Sequence, residues 1–171
     1  ETNTGKGAQY LAHLKGQLAA IPWSSNSADN YNKLGHFMAL QTGQLAQSAG
    51  LGNTDAGKSI AQEQAGTQQW TSGAIKSTAR VNRALATGTL LFNQGVENSV
   101  KGGNPFAARD FQNQWSQTAS VPALQLYDAV KNGDKEGLAD EVKQLGGIGS
   151  PKYQQTLKQV DAMHKLLQGV Q

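Results

Sequence analysis

A chain of 171 residues can bury one full core, and its 37% hydrophobic and 6% aromatic content predicts a lean, alanine-rich one. Only 16% of residues are charged and the net charge is +3; polarity rests instead on Asn, Ser, Thr and 20 Gln, a surface suited to protein contact rather than long-range steering. Cysteine is absent, which excludes disulfides, thiolate metal sites and a cysteine nucleophile and leaves the redox compartment open. No run approaches the roughly 18 apolar residues of a membrane span. The chain begins at Glu1 rather than Met, as a processed product or a fragment would.

Tyr10, Leu11, Leu14, Leu18 and Ile21 predict a first helix over about 7–21, stopped by Pro22. Ser27 caps a second over 27–49, carrying Tyr31, Leu34, Phe37, Met38 and Leu45 and ending near Gly50. A short helix is expected over 54–65. A longer one over 68–98 carries Trp70, Ile75, Val81, Leu85, Leu91 and Val96. Its apolar stripe is thin and broken by glycines, each costing up to about 1 kcal/mol relative to alanine. Such a stripe is expected to need a partner for full burial.

Capping signals are clearer from residue 104 onward. Asn104-Pro105 predicts an N-cap with proline at the first helical position, followed by Phe106, Phe111 and Trp115. Ser120-Val121-Pro122 closes that helix and opens another with Leu124, Leu126, Tyr127 and Val130. Asn132-Gly133 stops it, and Asp134 caps a helix through Leu138, Val142 and Leu145 that ends at Gly146-Gly147. Ser150-Pro151 starts the last, with Tyr153, Leu157, Val160, Met163 and Leu167. No alternating β-branched run predicts a strand. The expected fold is therefore all-α, an irregular multi-helix bundle. A looser helical region is expected over 1–103, and a compact four-helix unit over 104–171 whose core comprises Phe106, Phe111, Trp115, Leu124, Leu126, Tyr127, Leu138, Val142, Leu157 and Val160.

GNTDAGKS, residues 52–59, matches the phosphate-loop pattern G-x-x-x-x-G-K-[ST]. A working loop of that kind joins a buried strand to a helix, with an acidic magnesium site ending another strand. Here a polar helix end, Gly43 to Leu51, comes before it, and the nearest acid, Asp128 in Leu126-Tyr127-Asp128, falls inside a helix. The octapeptide reads as a glycine-rich helix junction, with Gly50 and Gly52 ending one helix and Thr54 or Asp55 capping the next. No cofactor is expected.

His13, His36 and His164 each stand alone on their own helices, so no metal site is expected. Asp140-Glu141, beside Lys143, reads as a solvated charged face. Lys76, Arg80 and Arg83 place three cations on adjoining turns of one helix face, which reads first as solvated and second as a weak DNA contact. Trp23, Trp70 and Trp115 read as core or interface anchors. The candidate interaction residues are thus Trp70, Lys76, Arg80, Arg83 and Trp115, and no catalytic residue is assigned. A helical cell-wall hydrolase or secreted toxin domain is the alternative class; it wants an acid in an apolar pocket, with Glu97 or Asp110 as candidates.

GLGNTDAGKSIAQEQAG, KSTARVNRAL and GGNPFAARDFQNQW, in that order over about residues 40–120, resemble helical segments of virion-associated proteins of tailed bacteriophages, including internal, DNA-ejection and tail components. The likeness lies in a glycine-bounded T-D-A-G helix start, an R-x-N-R helix and an N-P-F-x-A-x-x-F-x-x-x-W helix. It implies a non-enzymatic structural role inside a virion, with self-association or docking to neighbouring virion proteins. No catalytic residue carries over.

Overall fold

Capping chemistry sets the helix boundaries in the computed structural model, which describes residues 19–20, 27–51, 71–101, 104 and 106–169. Among the described residues there are six helices and no strand: α1 Ser27–Ser48, α2 Ser72–Lys101, α3 Ala107–Thr118, α4 Val121–Lys131, α5 Lys135–Gln144 and α6 Pro151–Gly169. The fold class is all-α. The expected helices over 7–21 (apart from 19–20) and 54–65, the GNTDAGKS octapeptide, Trp23 and Trp70 lie outside the described residues.

Ser120 Oγ accepts from the Ala123 amide to cap α4, and Asp134 Oδ1 accepts from the Gly137 amide at 2.8 Å to cap α5. Between them Gly133 takes φ +64°, and the Asp134 amide donates to the Ala129 carbonyl at 2.9 Å, closing the end of α4. Ser150 Oγ accepts from the Tyr153 amide at 3.0 Å and starts α6. The start of α3 departs from expectation. Asn104 Oδ1 accepts from the Phe106 amide, and the Asn104 carbonyl from the Ala107 amide, so Asn104 makes a turn ahead of the helix. Phe106 then occupies the cap position with no side-chain cap, and it is 67% exposed rather than in the core.

α2 is the spine. α1, α3 and α4 all pack on it, α6 packs on α3 and α4, and α5 packs on α4. One core runs through Leu45, Ala49 and Leu51, through Leu85 and Leu91 of α2, and on to Phe111, Trp115, Leu124 and Met163. It is continuous across the boundary expected at residue 104. Phe92 of α2 lies 6.1 Å from Phe111 and 6.0 Å from Trp115, centroid to centroid, and Phe111 and Trp115 stack at 5.8 Å. Trp115 Nε1 donates to the Ala49 carbonyl at 2.7 Å, which satisfies its only polar atom in a wholly buried setting.

The glycines that interrupt the α2 stripe are where its neighbours seat. A Cβ at Gly88 would stand 2.6 Å from Leu124 Cδ1, and one at Gly95 would run into the Phe111 ring. The stripe that sequence alone leaves wanting a partner is filled at these positions from within the chain. Two C-terminal faces are also rotated from their expected registers. In α6, Thr156 and Met163 are buried, with Val160 and Leu167 packed beside them, while Leu157 is exposed. In α5 the buried positions are Gly137 and Glu141, and Leu138 and Val142 are only half-buried. The reason for the second shift is ionic.

Candidate functional site

Arg80 and Arg83 are one turn apart on α2 and point toward the junction of α4 and α5. Arg80 Nη1 meets Asp140 Oδ2 at 2.6 Å, its Nη2 meets Glu136 Oε2 at 2.9 Å, and its Nε lies 3.5 Å from Asp134 Oδ2. Arg83 Nε meets Asp128 Oδ2 at 2.6 Å, and its Nη2 meets Asp134 Oδ2 at 2.7 Å. These contacts hold the acidic side of α5 against α2, which turns Glu141 inward and Leu138 partly outward.

Asp128 is 1% exposed, and burying a carboxylate at that depth is costly unless it is paired and hydrogen-bonded. Three donors meet that need. Beside Arg83, Oδ1 accepts from Thr87 Oγ1 at 2.7 Å and from Asn132 Nδ2 at 2.9 Å, and the same Asn132 amide also reaches the Asp128 carbonyl. Asp134 serves α5 as cap and the arginines as anion together. The Gly137 amide first, and then Arg83, hold its carboxyl below the usual carboxylate range. Hydrogen bonds from Arg83 to Asp134 and then Asp128 raise the guanidinium above its ordinary value.

Glu141 differs from the rest. It is 4% exposed, and burial alone pushes its carboxyl from 4.5 up to about 7. It borders a cavity of about 20 Å³ shared with Ser77, Arg80, Gln125 and Gln144. That volume accommodates roughly one water molecule. The cavity is too small for a sugar or a nucleotide.

The sequence-predicted residues are thus distributed unevenly. Arg80 and Arg83 come together but face carboxylates, so the solvated basic face is not what forms. Lys76 is exposed and stays outside their ion pairs. Trp115 is wholly buried and therefore a core anchor rather than a surface contact. Asp140 remains exposed on α5 as expected, but its neighbour Glu141 does not. Glu97 and Asp110 are both exposed, so neither supplies an acid in an apolar pocket; Asp110 sits at the rim of an open groove of about 710 Å³ between α2, α3 and α6. Among the described residues no group of three or more His, Asp or Glu is placed to hold a metal ion.

Sequence reading missed the assembly of Asp128, Asp134, Glu136, Asp140 and Glu141 around two arginines. One signal was present: Arg80 and Arg83 interleave with Val81, Ala84 and Leu85, so at least one edge of the basic face had to border the core.

Comparison of the chain with protein-family models, with curated proteins and with solved structures gives no match. The fold itself defines the class: an all-α bundle built on one long central helix. No described helix is long and apolar enough to cross a membrane.

Proposed function

We propose that this chain is a non-enzymatic structural component of a bacteriophage particle, working through helix-mediated packing against copies of itself or neighbouring virion proteins. The observation that carries the packing mode is the set of large apolar side chains standing in solvent. Leu40 is 72% exposed, Ile148 69%, Phe106 and Val130 67% each, and Leu90 55%. Each is a point at which a neighbouring helix can bury apolar area, and the packing reading takes them as its contacts. The particle assignment rests on the sequence resemblance over residues 40–120, and a sparsely charged, Gln-rich surface suits close packing.

Light scattering of the purified chain across a concentration series tests the self-association arm. A defined oligomer is expected, and it should dissociate when Phe106 and Val130 are changed to Ser without loss of helical signal. A monomer at every concentration, joined with no change in mass on mixing with virion proteins, overturns the reading.

A further inference from the structure

The carboxyl of Glu141 makes no hydrogen bond or ion pair among the described residues, although nearly all of the residue is buried. The charged groups around it are Arg80 and Arg83 from α2, Asp128 from α4, and Asp134, Glu136 and Asp140 from α5 and its cap. Both guanidiniums are already bound, and among the described residues the four carboxylates that bind them outnumber them by two before Glu141 is counted. Among the described residues no lysine or histidine lines the cavity. An anion at Glu141 would therefore be buried, unpaired and set among excess negative charge.

We propose that Glu141 is a proton-operated latch: its neutral carboxyl lets α5 close on α2 and α4, and loss of that proton to solvent loosens α5. Burial places this titration near neutrality, at about 7. α5 is suited to be the moving part. It is ten residues long, it packs on α4, and it reaches α2 through the arginines. Gly133 on one side and Gly146 and Gly147 on the other supply the turns at which it would swing.

Amide hydrogen exchange on the full chain at pH 5, 6, 7 and 8, corrected for the intrinsic rate of exchange, tests the latch. Protection of α5 amides should fall by up to about tenfold per pH unit between pH 5 and 7 and level off above. At every pH the α5 amides should be less protected than those of α3 and α6, which marks an opening of α5 by itself, and Glu141→Gln should abolish the fall. A ¹³C titration of the Glu141 carboxyl in the unaltered chain should give a midpoint near 7, and it decides the matter if the variant fails to fold. The latch is overturned by pH-independent protection in α5, by α5 amides as strongly protected as those of α3 and α6, or by a carboxyl titrating near the ordinary value of about 4.3.

Discussion

Replacing Glu141 with Gln should make the whole molecule more stable at pH 8 than the unaltered chain, and the gain can be worked out from burial. The carboxyl moves from 4.5 to about 7 on folding. Each unit of such a shift corresponds to about 1.4 kcal/mol, so the free energy involved is about 3 kcal/mol. The sign follows from proton counting. Between pH 4.5 and 7 the folded state holds a proton that the unfolded state has lost, so stability falls as pH rises through that window and is flat above it. Glutamine keeps the neutral shape and has no proton to lose. Urea denaturation of both proteins at half-unit steps from pH 4 to 8 supplies the assay. The difference between the two curves cancels every other titrating group. It should rise from near zero at pH 4 to about 3 kcal/mol in favour of the variant at pH 8. A flat difference, or one favouring the unaltered chain as pH rises, refutes the assignment of Glu141 as a buried, uncompensated acid.

Other outcomes follow from the same packing. Trp115→Ala in the full chain should cost about 3–5 kcal/mol by thermal or urea melting, and Trp115→Phe about 1–3 kcal/mol because the Ala49 carbonyl loses its donor. The isolated fragment 104–171 should melt without a cooperative transition, since Phe111 and Trp115 need Phe92 of α2 and Ala49; a sharp calorimetric peak from the fragment would contradict this. Asp128→Ala should destabilise by about 3 kcal/mol, because Arg83, Thr87 and Asn132 all lose an acceptor, and Thr87→Val should cost less; urea midpoints give the order. Asp134 works opposite to Glu141: its contribution is present above pH 3.8 and lost as pH falls further, so Asp134→Asn should flatten the acid limb of the stability profile.

The helical class and most helix ends could be read from local chemistry. Ser120, Asp134 and Ser150 cap because their side-chain oxygens meet amides three residues on, and Gly50 and Gly133 stop helices because each adopts positive φ. These are short-range facts, and sequence carries them directly. Phe106 departs from the Asn-Pro pattern because Asn104 takes the Phe106 and Ala107 amides in a turn and leaves Phe106 itself at the cap. The site escaped for a different reason. Nothing near residue 141 announces that Arg80, sixty residues before Asp140, pulls that face of α5 inward. A carboxylate next to another carboxylate reads as solvated until its long-range neighbours are known. The glycines of α2 were visible as breaks in a stripe, but their purpose depended on Leu124 and Phe111, which sit on other helices.

Those glycines also sort the chain into positions that can be improved and positions that cannot. At Gly43 an added methyl would meet nothing among the described residues within 4 Å, so alanine there should keep its intrinsic helical advantage of up to about 1 kcal/mol. At Gly88 and Gly95 the same methyl collides with Leu124 and Phe111, and overpacking of about 1–3 kcal/mol outweighs that advantage. The central helix is thereby held at a deliberately weak local composition. Substitutions chosen only for helix propensity would strengthen α1 and dislodge Leu124 and Phe111, which join α2 to the rest of the bundle.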